Sequence, residues 1–174
     1  QIERIAELDL AGNDEAAIAA LLNRCFETDF GGRSHFIQRH HLRFVARDPG
    51  IVGHMALGYR SVRLGDTLIP VLGLADVATD PSRRGEGIAA RLLAEVIAYG
   101  ETSPADFLLL FGTAKVYAAA GCREAANPMR YVDMIGARTR SVRGEPAETL
   151  MVLPLRPGAV WDETLSLDLL GHLF

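Results

Sequence analysis

One short stretch, Asp80-Pro81-Ser82-Arg83-Arg84-Gly85-Glu86-Gly87-Ile88-Ala89, has the residue types needed to hold a phosphate. It follows an apolar run from Val71 to Val77 and opens an amphipathic segment. A glycine-bearing turn between a strand and a helix points several backbone N–H groups at one spot. The helix N-terminus adds partial positive charge there, so the spot suits a phosphate or pyrophosphate. Gly85 and Gly87 keep that backbone unobstructed and permit torsions that other residues resist. Arg83 and Arg84 bring positive charge toward phosphate oxygens. A nucleotide-hydrolysing loop does not match, because Ile88-Ala89 stands where Lys-Ser/Thr should follow the last glycine.

Other reactive side chains point to less. His40 and His41 are adjacent and lack further ligands at metal-binding spacing, so no metal is expected. Cys25 and Cys122 make neither a disulfide framework nor a zinc site and read as small buried hydrophobes. His54, on a strand, is either a structural histidine or part of a pocket wall.

The elements that must position the loop follow from periodicity. Ile2 to Leu8 reads as a first strand. Asp14-Glu15 opens a helix with Ala17, Ile18, Leu21, Leu22 and Cys25 on one face. Glu27 to Ser34 is a loop, and His35 to Leu42 fits either a short helix or a loop. Arg43–Arg47, Ile51–Leu64 and Thr67–Thr79 read as three antiparallel strands, joined by Asp48-Pro49-Gly50 and Gly65-Asp66. The helix from Gly87 to Tyr99 buries Ile88, Leu92, Leu93, Val96 and Ile97. A strand at Phe107–Phe111 and a helix at Ala114–Ala120 ended by Gly121 come next. Strands are expected around Arg130–Ile135 and Thr149–Leu155, with Gly144-Glu145-Pro146 in the connection between them. Trp161 to Leu170 reads as a final short helix. The sum is one α/β (α+β) domain over residues 1–174: a mixed, mostly antiparallel central sheet flanked by helices.

Size and composition agree. The chain has 174 residues, 49% of them hydrophobic, enough for one proper core. A net charge of −4 argues against a nucleic-acid partner, which would call for a basic face. No signal peptide and no apolar run of spanning length is present, which reads as a cytoplasmic protein with no membrane partner.

The arrangement Arg84-x-x-Gly87-x-Ala89 resembles the coenzyme A pyrophosphate loop of the GCN5-related N-acetyltransferases (GNAT), R/Q-x-x-G-x-G/A. The element order is similar from Ile2 to Leu155, most strongly from Leu72 to Val96. Val116-Tyr117-Ala118-Ala119-Ala120-Gly121-Cys122 is similar to that family's Y-x-x-x-G-F segment. His54-Met55-Ala56-Leu57 and Phe111-Gly112-Thr113 look like segments of the nodulation N-acyltransferases. Val152-Leu153-Pro154-Leu155 looks like both those proteins and the aminoglycoside 2'-N-acetyltransferases. There are departures. Cys122 stands where an aromatic is usual, and Thr113-Ala114-Lys115 replaces the asparagine often found after the fifth strand.

The resemblance implies an acyl-CoA N-acyltransferase fold and acetyl transfer from acetyl-CoA, as co-substrate, to a primary amine of a small molecule. Such a reaction needs a held donor, a free-base amine, a stabilised oxyanion and a protonated leaving thiol. Arg84, Gly85, Glu86, Gly87, Ile88 and Ala89 would hold the pyrophosphate. Val77, Ala78 and Thr79 resemble the strand edge that pairs with the pantetheine arm. Tyr117 matches the tyrosine that protonates the departing thiolate, and Asp76, just before that edge, is the base candidate. The acceptor would lie in a cleft bordered by Gly31-Gly32, the His35 region and the tail. Alternatives are a longer acyl donor, on coenzyme A or a carrier protein, acting on an amino sugar, and a non-catalytic coenzyme-binding module. Homodimers are common in the family, so a homodimer is an admissible assembly.

Overall fold

A computed structural model describes all residues, Gln1 to Phe174. Strand β1 (Ile2–Ala6) leads through a 3-10 turn (Glu7–Asp9) to helix α1 (Gly12–Cys25). Three antiparallel strands follow in series: β2 (Leu42–Arg47), β3 (Ile51–Leu64) and β4 (Thr67–Thr79). Then come α2 (Ile88–Thr102), β5 (Phe107–Phe111), the short α3 (Lys115–Ala119) and the two-residue β6 (Arg123–Glu124). The chain ends with β7 (Pro128–Ile135), β8 (Arg138–Pro146), β9 (Leu150–Pro154) and β10 (Leu167–His172). The expected mixed sheet is present, with order β6-β9-β5-β4-β3-β10-β7-β8 and β1-β2 joined to β3. Only β4–β5 and β10–β7 run parallel.

Helices cover opposite faces, as the alternation of β2 dictates. Phe44 and Ala46 face α2, where they pack with Leu92, Leu93 and Val96. Val45 faces α1 and packs with Ile18, Leu21 and Leu22. Further along the α1 face, the curled sheet covers itself. Val62, Val71, Phe107 and Leu109 pack against Met129, Tyr131, Leu167 and Leu169. Burying such side chains contributes roughly 1.5–3 kcal/mol each before chain entropy is counted. No helix is long and apolar enough to cross a membrane.

Two expectations fail. Residues 161–170 are not a helix: the chain turns, then forms β10 with Leu167 and Leu169 buried and Asp168 less so. That period-two pattern is a strand signal hidden among the leucines around it. The turn is pinned by Asn127, fully buried. Its amide donates to the carbonyls of Asp162 and Leu165 and accepts from the Trp161 indole N–H at 2.8 Å. Gly144-Glu145-Pro146 is not a connection either: it ends β8, where Arg130 pairs with Gly144. Every residue of β8 is exposed, so no apolar alternation announces it. Its charges suit an edge strand that must not pair with another chain. Smaller differences are local. β1 stops at Ala6, and residues 35–41 are loop.

Candidate active site

The site is built where β4 is deformed. Asp76 and Val77 together oppose Met55 of β3, because His54 pairs with Ala78 and Ala56 with Ala75. This extra residue is a β-bulge, and Asp76 takes a left-handed φ of 47° there. On its other side β4 pairs with β5 only as far as Leu74–Leu110. Beyond Leu74 the two strands separate and leave the β5-side backbone edge of Val77–Thr79 free of a strand partner.

A cavity of about 540 Å³ opens along that edge. Its wall brings together Val77, Ala78, Thr79, Arg84, Gly85, Gly87, Ile88, Ala89 and Tyr117. Gly87 caps α2 with a left-handed φ of 73°, and Gly85 has φ 87°. A Cβ at either would meet nothing within 4 Å, so space above the loop is open. No side chain caps α2, so its first backbone N–H groups, in the turn whose Gly87, Ile88 and Ala89 line the cavity, lack a side-chain partner. Arg83 is differently employed: it is tied to Asp48 at 2.8 Å and to Glu86 at 2.7 Å. The Glu86 side chain is therefore engaged outside the cavity, and only its backbone belongs to the loop surface.

Tyr117 and Val77 also border a second cavity of about 250 Å³, which Asp76 shares. Phe26, Phe30, Phe36, Leu110 and Phe111 make its walls apolar. Tyr117 is only 7% exposed, and burial pushes its phenol pKa up. Its ring rests on Gly112, where a Cβ would stand 2.9 Å from Cε2.

Asp76 also borders a third, polar cavity of about 240 Å³ between the loop before β2 and the end of β10. Gly58 and Gly73 are paired across β3 and β4 at its floor, and Gly58 is left bare. Phe174 lies on Gly73, where a Cβ would stand 1.9 Å from the ring. The Asp76 carboxylate meets His40 Nε2 at 2.8 Å. Burial pushes the Asp76 pKa up, but the hydrogen bond and charge of His40, then His54 and Arg43, pull it lower than an ordinary carboxyl.

Behind this pair stands a buried polar network. His54 is fully buried and its Nδ1 donates to the Asp76 carbonyl at 2.7 Å. That contact fixes the tautomer, and Nε2 then accepts from Arg43 Nη1 at 3.3 Å. Desolvation, reinforced by the Arg43 charge, pushes the His54 pKa down to about 3. Arg43, also fully buried, is held by Glu7 at 2.6 Å and by the Ser34 carbonyl at 2.7 Å. His54 is thus a support of the bulge and does not line a pocket. His41 points elsewhere, its Nδ1 accepting from the Tyr59 N–H at 3.0 Å, so the two adjacent histidines share no site. Cys25 donates its S–H to the Thr79 carbonyl at 3.2 Å, and burial pushes both thiols up in pKa.

Sequence reasoning missed His40 as a partner of Asp76, and missed Arg60 in the third cavity. No spacing signal could find either, since the contact of residues 40 and 76 depends on the path of a loop.

Comparison with known proteins places the chain in a family. Residues 9–125 match the family described as the acetyltransferase (GNAT) domain. No curated protein matches the sequence. Among solved structures, the GNAT family N-acetyltransferase YhbS from Escherichia coli in complex with CoA is 21% identical. That alignment covers 97% of this chain and 88% of YhbS, at a TM-score of 0.66. A GNAT family acetyltransferase from Brucella melitensis in complex with acetyl-CoA is 19% identical over 90% of each chain, at a TM-score of 0.58. The ribosomal-protein-S18-alanine N-acetyltransferase from Escherichia coli is 15% identical over 93% of this chain and all of its own, at a TM-score of 0.57. With the family's domain spanning the bulged strand, the glycine loop and Tyr117, the chain belongs to the GNAT acetyltransferases.

Proposed function

We propose that this chain is a cytoplasmic enzyme that moves an acetyl group from acetyl-CoA to the primary amine of a small molecule by direct attack. The observation that carries the reading is the row of three cavities with shared walls. An anion-binding loop lies at one end, a carboxylate-bearing polar cavity at the other, and Tyr117 and Asp76 border the space between.

The residues present fit the coenzyme. The uncapped start of α2, the open space over Gly85 and Gly87, and Arg84 suit a pyrophosphate. The free edge of Val77–Thr79 suits an extended arm that adds to the sheet as a strand does. When bound, acetyl-CoA supplies a thioester carbonyl open to attack by an amine. A backbone N–H of Val77 or Ala78 holds the acyl oxygen. Asp76 has a depressed pKa, so it is ionised throughout the neutral range but is a weak base. It attracts the amine and holds His40 by Nε2, leaving His40 Nδ1 to take the proton. Tyr117 donates its O–H to the departing sulfur.

Calorimetric titration tests the coenzyme assignment. Micromolar binding of acetyl-CoA and free CoA is expected, with none for ATP. Gly87→Val puts a branched side chain over the loop at a left-handed φ and should weaken coenzyme binding by about tenfold or more. Unchanged affinity in that variant sinks the loop assignment. A second reading, a longer acyl donor, is favoured by the apolar walls of the middle cavity. Acetyl and longer-chain donors compared on one amine panel separate the two.

A further inference from the structure

Arg60 is a cation of the third cavity without a carboxylate against it. Its guanidinium donates to the backbone carbonyls of His172 and Leu173, meets the His172 ring at 2.7 Å, and lies 4.6 Å over the Phe174 ring. All of these partners are neutral or weakly basic. Arg39, on the same cavity, is bound by Glu7 and Glu15. The cavity's one side-chain carboxylate, Asp76, is already held by His40. Burial pushes the Arg60 pKa down to about 10, with no carboxylate opposing it, and the group remains charged at neutral pH. A half-buried charge without a counter-charge is costly, and its planar fork matches a carboxylate. The bare floor at Gly58, where a Cβ would meet only the His41 ring at 4.0 Å, leaves room for that group between Arg60 and Asp76.

We infer that the acceptor is a small amine that also carries a carboxylate, an amino acid in chemical class, with its carboxylate on Arg60 and its amine toward Asp76 and His40. This rests on the proposed acetyl transfer and adds to it the second functional group of the acceptor. Nitrogen bonds to the acetyl carbon, the carbon–sulfur bond breaks with its electron pair leaving on the coenzyme A sulfur, where the Tyr117 O–H meets it, and the amine proton leaves through His40. The acceptor's carboxylate takes no part in bond changes.

The test uses the full chain with acetyl-CoA and reads thiol release. Acceptors are offered in matched sets: an amino acid, its amide, its decarboxylated amine and the corresponding aminoalkyl phosphate. Rates are corrected for the fraction of each amine in its free-base form. The amino acid of a set should exceed its amide and decarboxylated partners by about 10- to 100-fold in kcat/KM. Arg60→Gln should abolish that ratio through acceptor KM, leave acetyl-CoA KM unchanged, and be partly rescued by Arg60→Lys. Equal use of the uncharged partners, preference for the phosphate, or a ratio that survives Arg60→Gln overturns the inference. If Arg60→Gln does not fold, the wild-type ratio and Arg60→Lys decide. Acetyl-CoA binding with no carboxylated amine consumed also overturns it, while the coenzyme reading stands. Failure of acetyl-CoA to bind removes both.

Discussion

Tyr117→Phe is expected to lower kcat by about 100-fold while leaving the KM for acetyl-CoA within about twofold. The reason lies in what a buried phenol does well. Its pKa starts at 10 and burial raises it, whereas a thiol leaves with a pKa of about 8.5. Complete proton transfer to the thiolate is therefore uphill. What the O–H gives is a fixed hydrogen bond to sulfur as negative charge develops, in an apolar setting where such a bond is strong. The pH profile of kcat should accordingly show no limb from Tyr117 below pH 10. Gly112→Ala should give a milder loss of the same kind, since its methyl meets the Tyr117 ring. Unchanged kcat in Tyr117→Phe means that water, not the phenol, serves the sulfur.

Acidification should destabilise the fold well before ordinary carboxylates titrate. His54 holds its pKa near 3 when folded, against an ordinary value of 6.5. Between those values the unfolded chain binds a proton that the folded chain refuses, so stability falls as pH falls. The slope approaches about 1.4 kcal/mol per pH unit, or about 2 kcal/mol between pH 7 and pH 5. For a chain of this length that lowers Tm by roughly 4–8 °C. His35 and His172, both pushed down by burial, act with the same sign. Glu7 and Asp76, depressed by their cationic partners against the opposing effect of burial, add losses below about pH 4.5. Urea melts from pH 7 to pH 5 should show His54→Gln less stable at pH 7 but with a flatter pH slope. An unchanged slope would mean that His54 is not the group refusing the proton.

What was readable from sequence divides along locality. The glycine loop, the strand before it and the helix after it are consecutive, so their geometry is fixed by neighbours in the chain. That Gly85 and Gly87 permit unusual torsions was readable from the short segment alone, and both have a left-handed φ; Tyr117 was singled out only through the resemblance of its segment to a family motif. The chemistry opposite them did not. His40 reaches Asp76 from a loop with no regular structure, and Arg60 lies on a strand where a solvent-facing arginine is ordinary. Asp76 drew notice by position, yet its left-handed backbone depends on the bulge opposite Met55, and its depressed pKa on His40 first, then on His54 and Arg43. The missed strands obey the same division: β8 is polar throughout, and β10 is a strand because β3 and β7 stand on either side of it.

That last arrangement governs the order in which the molecule can be completed. β10 is the final strand of the chain, yet it stands inside the sheet, antiparallel to β3 at Leu64 and parallel to β7 at Met129. The β7–β8 hairpin joins the rest of the sheet through β10 alone. As the protein emerges from the ribosome, the half that carries the glycine loop can assemble early, from neighbours in sequence. The hairpin must wait with its β7 edge unpaired until residues 167–172 arrive. Closing that seam spans about a hundred residues of chain, the kind of distant pairing that slows folding and leaves strand edges open to misassociation. The same late segment carries His172 and ends beside Phe174, two walls of the outer cavity. The proposed acceptor side thus forms later than the segments around the glycine loop.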